Sequence, residues 1–438
     1  MNALLRIDAI AYGGSGVGRL DGKAVFVPLT APGDHIRCRI VQDRKRYAEA
    51  EMVELLVPSP QRRQPPCPVF GDCGGCQWQH LPYAEQCYWK ERIFAEAMQR
   101  QAKIPASLLQ PLVPAPDEWG YRSRVQFKCR QTEAGFVMGF YRRGSHYVID
   151  VESCPIAAPR LNDVLKLFRQ WLPDSPCPDR VPQVDCELDD EGEVRVTVHV
   201  LGDDRTALAD YLKPLATPAG LSLFIQTGRK ETLVRVCGDE DLHVLPLGAG
   251  GPRLAYGAGG FAQVNLEQNR QLVREVCSAA ALTGQERVLD LFCGMGNFSL
   301  PLALQARQVV GVENYAPAIE RAGFNARTNA LVNARFIARP AEAVIREVAS
   351  GDPYDLVVLD PPRTGAYEVM KDLLRIRPRR IIYVSCDPPT LARDLVPLLH
   401  GGYEVVTVRP FDLFPQTFHT ESITVLQLVA WQETSMPG

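Results

Sequence analysis

One cysteine in a turn followed by proline is the residue of this chain best suited to covalent chemistry. Cys386 lies in the segment 385–388, SCDP, directly after the apolar run 380–385, RIIYVS. A second proline-rich turn, 360–363 (DPPR), follows another apolar run. Proline fixes φ and has no N–H, so both turns are predicted to be stiff loops that hold a planar group. A cysteine thiolate beside that group would act as a nucleophile.

A thiol and a carboxylate together fit methyl transfer to a pyrimidine carbon. Uracil C5 becomes enolate-like only after a nucleophile has added to C6, and a thiolate suits that addition. A general base must then remove the C5 proton before the thiolate leaves. Glu421, in the segment 419–422 (HTES) before the last apolar run, is the candidate base. Taken singly, a cysteine is more often a buried apolar residue, and a carboxylate at a strand start is more often solvated.

A glycine turn after the apolar run 287–292, RVLDLF, indicates a cofactor site. Gly294 and Gly296 lie in this turn, and the next predicted strand ends at Glu313. Such a turn lets a cofactor approach the backbone, while the carboxylate accepts bonds from the ribose hydroxyls. Because Ser299 replaces the third glycine of the dinucleotide fingerprint, S-adenosylmethionine, which has no phosphate, is favoured over NAD.

Clustered cysteines predict a metal site. The chain has thirteen cysteines, which are not expected to form disulfides in a large cytosolic protein. Cys67, Cys73 and Cys76 lie on one glycine-containing loop, and Cys154 follows much later. Four thiolates suit either a tetrahedral zinc ion or a four-iron cluster. Structural zinc more often pairs two closely spaced knuckles, so the iron-sulfur cluster is favoured; for Cys154, an unrelated buried cysteine is the alternative.

Three domains are predicted to position these sites. Residues 1–60 alternate apolar and polar positions between turns, which predicts a small β-barrel of the oligonucleotide-binding kind. Residues 61–265 follow a proline-rich linker and predict a mainly antiparallel β region, with an amphipathic helix at 83–103 and one helix at 161–171. Residues 266–438 alternate strands and helices, as in a doubly wound α/β sheet. Ligands bind beyond the carboxyl ends of such strands, where both turns and the glycine loop meet.

The overall charge does not indicate a nucleic-acid-binding surface. The net charge is −3 and the sequence pI is about 6.2, so any RNA contact must be local. Five basic residues at the barrel edge are candidates for it, although a solvated basic turn explains them equally well: Arg37, Arg39, Arg44, Lys45 and Arg46. No apolar stretch reaches the roughly 20 residues of a membrane span, and the N-terminus lacks signal-peptide features. A cytoplasmic protein without a membrane association is therefore predicted.

Taken together, these residues resemble the family of RNA uracil-C5 methyltransferases that modify bacterial 23S ribosomal RNA, over nearly the whole chain. The resemblance implies an N-terminal TRAM barrel and a Rossmann-like catalytic domain of the class I S-adenosylmethionine-dependent kind. It implies a four-iron, four-sulfur centre, thought to be structural, on Cys67, Cys73, Cys76 and Cys154.

The resemblance also implies roles for single residues at the catalytic end of the chain. It assigns the nucleophile to Cys386 and the general base to Glu421. It places cofactor contacts at Gln263, Phe292, Asn297 or its loop, Glu313 and Asp360. In one departure from the family pattern, Pro340 aligns with an expected asparagine, so no contact is assigned there.

One further segment has two interpretations. The segment 121–124, YRSR, resembles a family segment at the start of the central domain, where aromatic and basic residues could hold RNA. Structural tyrosine and arginine side chains in a β-turn are the alternative.

Other functions remain open at this point. The same chemistry on the T-loop uridine of transfer RNA is the nearest alternative. An amino-group methyltransferase would normally carry an aromatic residue where Arg363 stands, and a cytosine-C5 enzyme would more often have a proline in place of Ser385. An RNA-binding iron-sulfur scaffold without catalysis would not need both Cys386 and Glu421. RNA is the only partner indicated, with no obligate protein partner.

Overall fold

The computed structural model describes residues 2–202, 205–348 and 353–429. Its strands form a six-stranded barrel, a seven-stranded central sheet, a two-stranded hairpin and a seven-stranded C-terminal sheet. In this part of the chain, no helix combines the length and the apolar character that a membrane span needs.

The N-terminal barrel is built from short strands whose inward residues alternate with outward ones. Its strands are β1 (Asn2–Arg6), β2 (Ala9–Ile10), β3 (Gly16–Leu20), β4 (Lys23–Val27), β5 (His35–Asp43) and β6 (Tyr47–Val57). They run in the order β1-β5-β6-β4-β3-β2. The two edge strands, β1 and β2, follow each other in the chain with only two residues between them, so the chain itself connects the two ends of the sheet. The predicted small barrel is confirmed.

The basic residues of the barrel are partly neutralised. Arg39 lies 2.7 Å from Glu51, and Arg37 forms an ion pair with Glu54, both across the β5-β6 pairing. Charges that are already paired on an exposed sheet face offer a phosphate backbone less net attraction. This pairing favours the interpretation of Arg37 and Arg39 as a solvated face.

The central sheet is mainly antiparallel, as predicted. Its order is β13-β12-β11-β10-β7-β8-β9, with one parallel pair, β11 with β12. Its strands are β7 (Arg124–Thr132), β8 (Gly135–Tyr141), β9 (Val148–Asp150), β10 (Gln183–Leu188), β11 (Val194–His199), β12 (Leu221–Gln226) and β13 (Val234–Cys237). The hairpin consists of β14 (Asp241–Val244) and β15 (Leu254–Gly257).

Among the described residues, the segment 61–265 contains three α-helices. The first is α1 (Tyr83–Ala97), which continues as a wider turn to Ala102, close to the predicted span 83–103. The predicted helix near 161–171 is α2 (Pro159–Trp171). The prediction of a single helix within the β region was wrong, because α3 (Arg205–Ala216) connects β11 to β12. Parallel strands need such a crossover, and Pro214 inside α3 obscured the helical pattern.

The C-terminal sheet has the order β18-β17-β16-β19-β20-β22-β21. The strands β16 to β20 are parallel, and β22 runs antiparallel to both of its neighbours. The strands are β16 (Arg287–Leu291), β17 (Gln308–Glu313), β18 (Ala334–Ala338), β19 (Leu356–Leu359), β20 (Arg380–Ser385), β21 (Tyr403–Phe411) and β22 (Glu421–Leu428). The predicted doubly wound sheet is confirmed; the end of its last predicted run, 430–431, lies outside the described residues.

Six α-helices within the described residues surround this sheet. Five of them follow a strand or connect two strands, and α4 precedes the sheet. They are α4 (Leu266–Ala280), α5 (Ser299–Ala303), α6 (Ala316–Thr328), α7 (Ala341–Val348), α8 (Tyr367–Ile376) and α9 (Pro388–His400). Parallel strands joined by helices bring all strand carboxyl ends to one edge, which is where this architecture binds ligands.

Packing crosses the predicted boundaries at 60 and 265, which remain predictions. Helix α1 packs into the C-terminal core through Phe94 and Met98, and Lys90 is fully buried with its Nζ 2.6 Å from Asp412. The β14-β15 hairpin lies against α6, where the Asn325 side chain bonds both the N–H and the carbonyl oxygen of Ala255. The catalytic half therefore includes segments that precede residue 266.

Candidate active site

A large cavity lies at the carboxyl ends of β16 and β17. It measures about 1000 Å³, and its walls include nearly all the cofactor positions predicted from the sequence. These are Gln263, Phe292, Gly294, Asn297, Glu313 and Asp360. Pro340, to which no contact was assigned, also lines it, as do the exposed Phe261 and Tyr315, which the sequence analysis missed. The cavity is large enough for a nucleoside-sized ligand such as S-adenosylmethionine.

The predicted glycine turn shapes this cavity. Phe292, Gly294 and Gly296 have φ values of 63°, 54° and 98°. Gly296 is buried and does not line the cavity, and a Cβ there would lie 3.0 Å from Cγ of Leu300. Gly296 therefore allows the close approach of the turn to α5, while Gly294 lines the ligand space. The non-glycine Phe292 in the left-handed region is a strained position of the kind found at functional sites.

A buried carboxyl group supports the turn from below. Asp290, inside β16, is fully buried and accepts a hydrogen bond from the Ser299 hydroxyl. Burial raises the pKa of Asp290 to about 7. Ser299, which stands where the dinucleotide fingerprint has its third glycine, therefore stabilises the turn through its hydrogen bond to Asp290. The sequence signal for Asp290 was a charged residue in an otherwise apolar run, and it was not singled out.

The sheet register brings the predicted nucleophile and base together. Ser385 of β20 pairs with Ser422 of β22, and the Ser422 hydroxyl donates to the Ser385 carbonyl oxygen at 3.1 Å. Cys386 follows Ser385 and Glu421 precedes Ser422, so the two side chains belong to opposing positions of antiparallel strands. Cys386 is half-buried and Glu421 is 3% exposed. Neither side chain lines the cofactor cavity, but both lie close enough to Asp360 in its wall for that carboxylate to raise their pKa values.

Burial and neighbouring charges set the protonation of this pair. Burial, Glu421 and Asp360 raise the pKa of Cys386 to about 12, whereas Arg363 opposes the shift. Burial and then Asp360 raise the pKa of Glu421 well above its usual range, with Arg363 again opposing. Asp360 lines the cavity, so it connects the ligand space electrostatically with both groups. In the described part of the chain, Oε1 of Glu421 is buried and has no hydrogen-bond partner.

An aromatic and cationic rim borders the thiol. Arg363 Nη2 lies 3.4 Å from the ring nitrogens of His419, and the His419 ring lies 4.1 Å from that of Phe418. Burial and Arg363 lower the pKa of His419 to about 4, so the imidazole is neutral near pH 7. His419 and Phe418 precede Glu421 in the chain, but nothing in their sequence context distinguished them.

The barrel also reaches this site, which the sequence analysis missed. The Tyr12 hydroxyl donates a hydrogen bond to the Asp387 carboxylate, next to Cys386 in the chain. The two residues are 375 positions apart. No sequence signal indicated this contact, because it depends on how the barrel packs on the catalytic half.

The segment 121–124 joins the central and catalytic regions. The Tyr121 hydroxyl donates to the Pro415 carbonyl oxygen at 2.9 Å, and Arg124 Nη1 donates to the Gly260 carbonyl oxygen at 3.3 Å. Arg124 also lies 3.5 Å from Glu187. These contacts favour the structural interpretation of this segment over a dedicated RNA contact.

The four predicted cluster ligands meet in space. Cys67, Cys73, Cys76 and Cys154 line one cavity, and all four are free thiols. Burial raises the pKa of Cys73 to about 11 and that of Cys76 to about 12. Among the residues that the structure describes, no three cysteine sulfurs lie within 4.8 Å of one another.

A second group of metal-ligating side chains lies apart from these cysteines. Asp189, Glu191 and His243 place ligand atoms within 4.8 Å of one another. The Asp189 carboxylate accepts the N–H groups of Glu191, Glu193 and His243. Glu191 is also paired with Arg253 at 2.6 Å. These hydrogen bonds and this ion pair favour a structural role for the three side chains, as a link between the end of β10 and β14.

Two family models match the chain, one over the central and catalytic regions and one over the N-terminal barrel. The model "tRNA (Uracil-5-)-methyltransferase" matches residues 97–429, and the TRAM domain model matches residues 4–53. The first match covers most of the chain and includes every proposed catalytic and cofactor position. The second coincides with the barrel.

Curated relatives match over nearly the whole length. The "23S rRNA (uracil(1939)-C(5))-methyltransferase RlmD" of Alkalilimnicola ehrlichii is 37% identical over 97% of this chain and 96% of its own. The protein of the same name from Pectobacterium atrosepticum is 35% identical over 94% of this chain and 90% of its own.

A solved structure has the same fold. The crystal structure of Pyrococcus abyssi tRNA (uracil-54, C5)-methyltransferase in complex with S-adenosyl-L-homocysteine matches with a TM-score of 0.74 at 24% identity. The match covers 97% of this chain and 100% of that one. On the family models and the near full-length relatives, this chain belongs to the RNA uracil-5-methyltransferase family and is an S-adenosylmethionine-dependent enzyme of that class.

Proposed function

We propose that this enzyme methylates C5 of a uridine in 23S ribosomal RNA, with Cys386 as the covalent nucleophile and Glu421 as the general base. The observation that carries the mechanism is the pairing of Ser385 with Ser422, which sets Cys386 opposite Glu421. The near full-length relatives named as 23S rRNA methyltransferases support the substrate. Family membership argues against the alternative of a non-catalytic scaffold.

Cys386 activates the pyrimidine ring in this mechanism. After the thiol has lost its proton to solvent, the thiolate sulfur forms a bond to C6, and the electron pair of the C5–C6 double bond moves toward the C4 carbonyl, which makes C5 nucleophilic. S-adenosylmethionine supplies an electrophilic methyl group when it is bound. The thiol is protonated near pH 7 because its pKa is about 12. Arg363 favours the thiolate and would therefore assist the addition.

Glu421 completes the reaction by removing a proton. After C5 has received the methyl group, the Glu421 carboxylate takes the C5 proton. The electron pair of that C–H bond restores the C5–C6 double bond and releases the Cys386 thiolate. Because its pKa is raised, Glu421 is a stronger base than an exposed carboxylate once it has lost its own proton, and its Oε1 has no competing hydrogen-bond partner among the described residues.

The proposed cofactor contacts divide by their place in the cavity. Glu313 ends β17, where a carboxylate would accept bonds from the ribose hydroxyls, and Phe292 and Gly294 form the turn above β16. Asn297 is held by a reciprocal amide pair with Asn269, both bonds being 3.0 Å. Gln263 and Asp360 also line the cavity, and Asp360 acts electrostatically on both Cys386 and Glu421.

We propose that Cys67, Cys73, Cys76 and Cys154 hold a four-iron, four-sulfur cluster with a structural role. Their common cavity supports a shared metal centre, and the loop that carries three of the four cysteines lacks the two closely spaced knuckles more usual for structural zinc. A bound cluster would keep the four cysteines as thiolates, which their buried surroundings otherwise disfavour. It would tie the loop 67–76 to the segment around Cys154, which lies against α2 through Asn162.

The substrate is tested by offering both candidate RNAs separately. The cluster-containing protein is incubated with methyl-labelled S-adenosylmethionine and either unmodified 23S ribosomal RNA or transfer RNA, and the labelled nucleoside is identified by mass spectrometry. Five-methyluridine in ribosomal RNA alone is the expected result. Label only in transfer RNA would retain the mechanism and replace the proposed substrate.

A further inference from the structure

We propose that Tyr12 is a positioning residue through which the N-terminal barrel holds the Asp387 carboxylate beside the reactive thiol of Cys386. The barrel would then contribute directly to the active site, in addition to any contact with RNA. The expected effect of Tyr12 on methylation rests on the proposed function. The Tyr12–Asp387 hydrogen bond itself acts on the loop around the Cys386 thiol and can be tested without RNA.

Asp387 connects two structural elements through its two carboxylate oxygens. Oδ2 accepts the hydrogen bond from the Tyr12 hydroxyl. Oδ1 accepts the N–H of Thr390 at 2.9 Å and so caps the start of α9. Because Asp387 directly follows Cys386, a bond that fixes this carboxylate also fixes the backbone that carries the thiol.

The turn that carries Tyr12 is itself held on two sides. The buried Trp78 donates its indole N–H to the Gly14 carbonyl oxygen at 3.0 Å. The Tyr12 ring meets Phe418 edge-on at 6.1 Å. Gly14 has a φ of 87°, and a Cβ there would lie 3.2 Å from Phe418 and from Trp78. The turn between β2 and β3 is therefore a fixed support and not a loose loop.

Packing alone does not explain the choice of tyrosine at this position. Tyr12 is 47% exposed, so its ring gains little from burial, and the hydroxyl makes the specific contact. Burial and Asp387 raise the pKa of Tyr12, which keeps the hydroxyl protonated as a donor. Donation to the carboxylate stabilises a negative charge that otherwise disfavours the neighbouring thiolate.

The charges around the thiol come from several elements. Glu421 at the start of β22, Asp360 after β19 and Asp387 at the start of α9 raise the pKa of Cys386, while Arg363 after β19 lowers it. Tyr12 is the barrel residue that influences these charges, because its hydroxyl donates a hydrogen bond to Asp387. Loss of its hydroxyl would leave the Asp387 charge less compensated and less fixed.

The first test compares two single substitutions in the same barrel. Tyr12→Phe removes only the hydroxyl, and Tyr47→Phe is the matched control, because the Tyr47 ring packs edge-on against Phe26 on the barrel wall. Iodoacetamide labelling of Cys386 is followed at one fixed pH by mass spectrometry of its peptide. Tyr12→Phe is expected to slow labelling about threefold to tenfold, and Tyr47→Phe is expected to leave it unchanged. An unchanged or faster rate in Tyr12→Phe overturns the proposal.

A double-mutant cycle separates positioning from a general structural effect. Asp387→Asn keeps a residue that caps helices well but removes the charge. In that background, Tyr12→Phe is expected to have little further effect on labelling, because the two side chains act as a unit. Independent, multiplicative effects of the two substitutions would contradict the proposal.

The last arm measures methylation. Tyr12→Phe is expected to lower kcat about tenfold while the KM for S-adenosylmethionine stays at the wild-type value. Wild-type kcat in this variant would overturn its positioning role. Failure of the wild-type enzyme to methylate any RNA uridine would count against the proposed function, and the labelling comparison would still decide the Tyr12 contact.

Discussion

Ser385 on β20 and Ser422 on β22 face each other across the sheet, and the Ser422 hydroxyl donates to the Ser385 carbonyl oxygen at 3.1 Å. This register places Cys386 just beyond one strand and Glu421 at the beginning of the other. Because β22 runs antiparallel to β20, the end of one strand meets the start of the other at the cofactor edge. Residues 35 positions apart in the sequence thereby form one chemical site.

Replacement of the thiol tests the nucleophile. Cys386→Ala is expected to lower methylation by about 1000-fold or more, because the variant lacks the sulfur that forms the proposed bond to C6. The affinity for S-adenosylmethionine, measured by calorimetry, should stay close to the wild-type value. Cys277→Ala, at a half-buried cysteine on α4, is the matched control and should retain activity. Normal methylation by Cys386→Ala would show that the nucleophile assignment is wrong.

Replacement of the base should separate methyl transfer from product release. Glu421→Gln keeps the shape of the side chain but removes its ability to accept the C5 proton. The methylated RNA should then remain bound to Cys386, and turnover should fall about 100-fold to 10,000-fold. Denaturing gel electrophoresis would detect the covalent complex. Rapid turnover without any trapped complex would exclude Glu421 as the base.

The charge around Cys386 predicts how its reactivity depends on pH. Since the pKa of this thiol is about 12, the thiolate fraction and the rate of alkylation should rise throughout the range from pH 7 to pH 10. Arg363 lowers that pKa, so Arg363→Gln should raise it further and slow alkylation at any pH in this range. Arg100→Gln, at an exposed arginine after α1, is the control. A rate that levels off near pH 8 would contradict the raised pKa.

Asp290 predicts a pH dependence of stability. Burial raises its folded-state pKa from 3.8 to about 7, so the folded protein binds the proton more tightly than the unfolded chain does. The free energy of unfolding should therefore fall as the pH rises from about 4 to about 7. Asp290→Asn stays neutral and should show a smaller decrease in Tm between pH 5 and pH 8. Asp360, whose pKa is also about 7, would account for a remaining decrease. Parallel Tm curves for both proteins would contradict this assignment.

The cysteine cavity predicts the composition of its metal centre. Protein purified without oxygen should contain about four iron and four sulfide ions per chain and absorb visible light. Cys76→Ser should lose most of the iron, whereas Cys237→Ser, at a half-buried cysteine outside the cavity, should retain it. One zinc ion per chain would contradict the proposed four-iron cluster. Full iron content in Cys76→Ser would contradict the role of Cys76 as one of its ligands.

Local sequence patterns were sufficient for much of the fold. Alternating apolar residues in 35–43 gave the barrel strands, because one face of each strand must be buried. The apolar runs between helices gave all seven strands of the C-terminal sheet within the described residues, since buried strands carry few polar groups. Helix α3 escaped prediction because its interior proline is locally unfavourable, and the crossover between β11 and β12 requires a helix all the same.

The sequence by itself determined which residue types were available for chemistry: a thiol between stiff turns, a carboxylate before the last strand, a glycine turn and three cysteines on one loop. Only the tertiary structure decided which of them meet. The register of β20 with β22 sets Cys386 opposite Glu421, and the packing of the barrel brings Tyr12 to Asp387. These contacts depend on strand order and on the packing of segments that are far apart in the sequence, which no local pattern of residues encodes.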